Sequence, residues 1–218
     1  MKKVDWRAVG IGLALALAAA FAYAIVRYNV IKGVALQQLP LFISNKAIAL
    51  AAVMLIALSY DLGPLARFWP GVFVRELPTR KYFGLFGFGL AAMHVIISLL
   101  IFSPAYYPKF FAESGKLNMT GELSLLFGVL AFFIFLAAAL TSIPSIASSM
   151  GGRQWQAVQR AGYLAFTLVM LHVLVMGIEG WLKPSGWPGG LLPISLVAFT
   201  IIASTLLIRL AAVFASRR

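Results

Sequence analysis

The sequence of 218 residues has no cysteine, six acidic residues and two histidines. Without cysteine there is neither a disulfide framework nor a thiolate metal centre, and the redox compartment stays undetermined. Charge is scarce as well. Only 11% of residues are charged and 62% are hydrophobic, with a mean hydropathy of +0.95, whereas a soluble domain carries roughly 25% charged residues. A soluble fold is excluded. Strict apolar–polar alternation is missing too, which argues against a transmembrane barrel. No low-complexity linker and no convincing internal repeat interrupts the chain. Glycine and proline fall between apolar runs, as in Gly63-Pro64, Pro70-Gly71, Gly151-Gly152 and Pro188-Gly189-Gly190.

What remains is six apolar runs of spanning length, at about 9–25, 43–60, 82–102, 123–143, 157–181 and 191–208. The fold class expected is an all-α integral membrane protein, a six-transmembrane-helix bundle forming one domain over 1–218. The second run is short and needs either Leu39–Ser44 or Leu62–Leu65 to span. The stretch 62–81 mixes Phe68, Trp69 and Phe73 with Arg67, Arg75, Arg80 and Lys81, and reads as an interfacial piece.

The formal charge of +12 follows from where the basic residues sit. Of the eighteen Lys and Arg, twelve lie on one side: Lys2, Lys3, Arg7, Arg67, Arg75, Arg80, Lys81, Arg153, Arg160, Arg209, Arg217 and Arg218. The other six are Arg27, Lys32, Lys46, Lys109, Lys116 and Lys183. This bias predicts that both termini are cytoplasmic. The excess serves topology and attraction to lipid headgroups, so no nucleic-acid partner is expected. The first 24 residues have the basic start and apolar core of a signal peptide, but the charge count works with the segment kept as an anchor span.

His94 and His172 each sit inside an apolar run, and an ionisable group in a span is a functional hypothesis by default. His94 lies thirteen residues beyond Lys81, about 20 Å along a helix, and His172 twelve beyond Arg160, about 18 Å. Both spans run outward, so both imidazoles fall at one level in the outer half of a hydrocarbon core about 30 Å thick. For a lone buried histidine, an interhelical hydrogen bond is the simpler account. Two at matched depth, with none elsewhere, favour one shared metal. Zinc needs three or four protein ligands, and neither span offers another His, Cys or acid one turn away. A haem needs two axial nitrogens and an apolar lining. A proton relay is disfavoured because the spans lack a chain of buried acids. Gly84, Gly87, Gly89, Gly162 and Gly177 flank the histidines, and close helix packing accounts for them better than approach of a cofactor.

The string Arg80 to His94, "RKYFGLFGFGLAAMH", resembles the third span of the ferric-reductase-like transmembrane family, particularly its MsrQ (YedZ) branch. Leu140 to His172 also matches, with Thr141-Ser142, Gly152-Arg153, Trp155, Arg160 and Tyr163 in the family's order. The resemblance covers roughly residues 45–210. It implies a b-type haem with His94 and His172 as its axial iron ligands, and electron movement between the membrane faces. Two-haem relatives such as the NADPH oxidases carry a second, inner histidine on each span. Here Arg80 and Gln159 stand there, the family's "LHRL" reading "VQRA". The implied form is a single-haem variant, closer to the six-transmembrane metalloreductases, and methionine-sulfoxide repair is put in doubt.

A haem in the outer half leaves about 15–20 Å to the cytoplasmic surface. A flavin, a quinone or a partner subunit must bridge it if electrons cross. The "GLFGFG" string lies inside a span without a βαβ context, so it is no dinucleotide fingerprint. Arg153, Trp155 and Arg160, with Arg75, are candidates for holding a flavin phosphate, a quinone or an anionic partner, against the competing reading that they anchor headgroups. The leading expectation is a multi-pass cytochrome b subunit of a prokaryotic cytoplasmic membrane, relaying electrons through one haem to or from a partner redox protein or larger complex. The alternatives are a flavin- or quinone-using reductase acting directly on an external acceptor, and a cofactor-free structural or assembly subunit.

Overall fold

The computed structural model describes residues 4–215; of the residues counted for orientation, Lys2, Lys3, Arg217 and Arg218 lie outside it. The described residues contain six helices long and apolar enough to cross a membrane, and no β-strand. The protein is a multi-pass, all-α membrane protein.

Helix α1 (Trp6–Ile25) starts where the Asp5 carboxylate accepts from the Ala8 N–H at 3.0 Å, satisfying a donor that the first turn leaves free. It continues through widened turns to Ile31 and stops at Gly33, whose φ of +69° suits a residue without Cβ. Helix α2 (Ser44–Phe68) is the hub. Ala47, Ala51, Leu55 and Ala57 along it are buried, and α1, α4 and α8 pack around it.

At 25 residues α2 is about 37 Å long, so it spans with length to spare. The added length comes from the 62–65 flank. The helix runs on through Pro64 to Phe68, because Leu62, Pro64 and Ala66 are buried against neighbours that hold the backbone in place. The interfacial piece therefore shrinks to Trp69 and two short turns, α3 (Pro70–Phe73) and the tight helix Val74–Thr79, with Trp69 and Val72 exposed.

Helix α4 (Arg80–Leu100) lies along α2, and glycine sets the spacing: a Cβ at Gly87 would come within 2.7 Å of an Ile56 side-chain carbon. Helix α5 (Met119–Leu140) begins with the Asn118 side chain accepting from Gly121 N–H at 3.0 Å. It pairs with α7 (Gly152–Trp181) across the short α6 (Pro144–Ser149). Helix α8 (Ile194–Ala215) closes the bundle against α2 and α7. The Tyr60 hydroxyl fills the space where a Cβ on Gly162 would sit, so the Tyr60 side chain reaches from α2 to pack directly on the α7 backbone. The glycines at 84, 87 and 162 thus serve helix packing. Leu126, Phe133, Leu207 and Phe214 point outward, as lipid-facing residues do.

One end of the bundle carries the loops 101–118 and 182–193. We call it the outer end, following the charge bias, and the end with α3 and α6 the inner end.

Candidate functional site

His94 is on α4 and His172 on α7, and each is held by a helix antiparallel to its own, near that helix's outer terminus. The His94 Nδ1 lies 2.8 Å from Asn45 Oδ1, on the first turn of α2. The Asn45 amide nitrogen donates to Ser98 Oγ (2.9 Å) and to the Tyr107 hydroxyl (3.1 Å). The amide oxygen is thereby turned towards the ring, and Nδ1–H is the donor. Ser98, one turn beyond His94, stands 3.4 Å from the same nitrogen. Tyr107 is in the outer loop. Burial raises its phenol above the ordinary value, against the contacts of Asn45 and Ser98 that lower it, so it stays protonated as a network member.

The His172 Nδ1 donates to the Ser124 carbonyl oxygen at 2.7 Å, with Ser124 Oγ at 3.1 Å. A carbonyl can only accept, so this tautomer is fixed: the proton is on Nδ1 and the lone pair on Nε2. Neither Nε2 has a hydrogen-bond partner among the described residues, and neither is sealed from space. Their helices α4 and α7 make little direct contact, being packed instead on α2 and α5, yet the rings are close enough to interact electrostatically. Two Nδ1-tethered imidazoles with open Nε2 atoms would suit axial ligation, in which the second nitrogen is anchored to an acceptor. Among the described residues no three His, Cys, Asp or Glu side chains come together. The residues present fit a macrocycle that brings its own four equatorial nitrogens.

A second feature lies towards the inner end, a crevice of about 600 Å³. It brings together Tyr60, Arg80, Trp155, Gln159, Arg160, Tyr163 and Arg209. Gln159 donates to Ala138 O (2.9 Å) and to Thr141 Oγ1 (3.0 Å), and Trp155 Nε1 to Thr141 O (3.0 Å). The Arg209 guanidinium sits 5.0 Å from the Tyr163 ring centroid. Of the four residues expected on this side, Trp155 and Arg160 line the crevice, while Arg153 and Arg75 are exposed outside it, Arg75 paired with Glu76. Arg80 and Gln159, noticed as replacements for histidine, face the same space.

Residues 47–170 match the sequence model of the family described as ferric reductase like transmembrane component. The chain belongs to that family. The match takes in His94, Trp155 and Gln159 and ends two residues before His172. The chain is also similar to Metalloreductase STEAP2 of Mus musculus, 28% identical over 166 residues, covering 64% of this chain and 34% of that protein. Metalloreductase STEAP2 of Homo sapiens and Metalloreductase STEAP3 of Rattus norvegicus are each 29% identical over 166 residues, with the same shares. The chain thus spans about a third of the length of these relatives. Proteins named metalloreductases, the group to which the sequence resemblance pointed, are among its relatives.

Three partners of the histidines, Asn45, Ser98 and Ser124, and Tyr107 behind Asn45, were not picked out from sequence, nor were Tyr60 and Arg209 in the crevice. A signal existed for Asn45 and Ser124, since each is a polar residue at the start of an apolar run. Pairing each with its histidine needs the helix packing.

Proposed function

We propose that this ferric-reductase-family chain is a transmembrane b-type cytochrome, carrying one haem between His94 Nε2 and His172 Nε2. The supporting observation is the pair of Nδ1-anchored imidazoles with open Nε2 atoms. Bound there, haem supplies a one-electron carrier in the outer half of the bilayer. The chain's own part is to fix both rings: Asn45 and the Ser124 carbonyl hold each Nδ1 proton, raising the basicity of the opposite nitrogen. Apolar helices exclude water around the pair.

The inner crevice favours the direct-reductase form of this reading over a passive relay. Its aromatic rings and arginines suit a flat, anionic or quinonoid donor, either a reduced flavin or a quinol. One electron would pass from that donor across the membrane to an acceptor at the outer end. Since the relatives are named metalloreductases, an oxidised metal ion is the acceptor proposed, with both termini on the donor side. The test is a reduced-minus-oxidised spectrum of purified protein with pyridine haemochrome quantitation. A low-spin b-type signal at one haem per chain is expected. Haem-free protein from haem-replete cells would leave the structural-subunit alternative.

A further inference from the structure

At the outer end two cations on α1 and α2 stand together with no acid paired to either among the described residues. Arg27 is 6% exposed, on the widened last turns of α1, and its Nε donates to the Leu192 carbonyl at 2.8 Å. Lys46, next to Asn45 on α2, makes no hydrogen bond or ion pair among the described residues; its Nζ lies 4.4 Å from the Phe42 centroid and 5.5 Å from that of Tyr28. The Arg27 guanidinium is 5.3 Å from the same Tyr28 ring, so one tyrosine joins the two charges. The ion pairs among the described residues lie elsewhere: Arg75 with Glu76, and Glu179 with Lys109 and Lys183.

Two neighbouring cations, one buried and one half-buried, with no counter-charge are costly, and a cation–π contact offsets only part of that. Such a pair calls for an anion from outside the chain. Lys46 follows directly on Asn45, the residue that holds His94. A lipid phosphate would be met at the rim, whereas this half-buried cation lies between the Phe42 and Tyr28 rings, beside the ligand's own anchor.

We infer that Lys46 and Arg27 form the carboxylate-binding edge of the cofactor site, pairing with the propionates of the haem. The inference rests on the haem reading above. Haem carries its two carboxylates on one edge, and burying them requires charge-assisted partners. The edge is therefore turned to the outer end, and the macrocycle enters in one orientation.

The experiment is a double-mutant cycle between protein and cofactor. Apoprotein in neutral-lipid nanodiscs is loaded with haem or with haem dimethyl ester, whose carboxylates are capped, and pigment loss to excess apomyoglobin is timed. Lys46→Met should speed loss of haem on the order of ten-fold and leave loss of the ester unchanged, with Lys46→Arg close to wild type. An equal effect on both pigments, or none, overturns the assignment. So does an effect on haem that appears only when anionic lipid is added, which would give the cations to a headgroup. Should Lys46→Met fail to fold, the wild type suffices: it should release the ester faster than haem, and equal rates refute the pairing. Wild-type protein that binds neither pigment in a low-spin state removes the haem reading itself, and this inference falls with it.

Discussion

Replacing His94 or His172 with alanine removes one of two open Nε2 atoms, and a single imidazole cannot hold a six-coordinate low-spin iron. Each variant is expected to lose the low-spin spectrum, and retention of the parent spectrum and haem content in either one refutes shared ligation. Asn45 acts one step further out. Its oxygen takes the His94 proton while its nitrogen is committed to Ser98 and Tyr107, so the ring cannot turn without breaking that network. Asn45→Ala should keep the fold and lower haem affinity about 10–100-fold, the usual cost of an outer-shell partner. Unchanged affinity, read by haem titration of apoprotein, would reduce Asn45 to a packing residue. The His172 anchor is main chain, so Ser124→Ala removes only the hydroxyl and should be much milder.

Among the elements, α2 carries both halves of the device: Asn45 and Lys46 at its outer end, Tyr60 at the inner crevice. Its register against α7 is set by the Tyr60 hydroxyl lying over Gly162. A methyl there has nowhere to go, so Gly162→Ala should destabilise the bundle by about 1–3 kcal/mol, the range for overpacking, measured by thermal inactivation in detergent. Gly89, which faces open space, is the control and should tolerate alanine. Helix α7 has 30 residues, about 45 Å, which exceeds a hydrocarbon core of about 30 Å. Its first turns therefore project beyond the core at the inner end, where Arg160 meets the crevice and Arg153 does not. Arg160→Gln is expected to slow haem reduction by quinol or reduced flavin, and Arg153→Gln to leave the rate near wild type. Equal slowing in stopped-flow mixing would mean that both act through surface charge.

For the whole molecule, the expectation is a one-way wire with two chemically different ends. The inner end has an aromatic and arginine-lined crevice, and the outer end has paired cations and two histidine anchors. This polypeptide of 218 residues has no dinucleotide fingerprint. Purified alone, it should not be reduced by NADPH, and should be reduced anaerobically by quinol or reduced flavin. Rapid reduction by NADPH in a preparation containing only this chain would refute the donor assignment. A pyridine haemochrome value of two haems per chain would refute the single-site reading, since Gln159 is occupied with Ala138 and Thr141 and Arg80 is not an imidazole.

Composition and apolar run length determined the fold class, because a backbone in lipid must satisfy its own hydrogen bonds and six long apolar runs leave only helices to do so. Spacing from the flanking basic residues also determined that His94 and His172 are the residues to examine. The ends of the spans were less legible. Pro64 marks a break by local rules, yet α2 passes through it, since burial by neighbouring helices outweighs one missing hydrogen bond. The tautomers, the anchors and the charge pairing came only with the packed bundle. Asn45 and His94 are 49 positions apart, Ser124 and His172 48, and Arg27 and Leu192 165, and no local pattern encodes which helix lies against which. Likewise Arg153 and Arg160 look equivalent as letters and, two turns apart, share a face of α7; only how far along the helix the crevice reaches brings one to it and leaves the other on the surface.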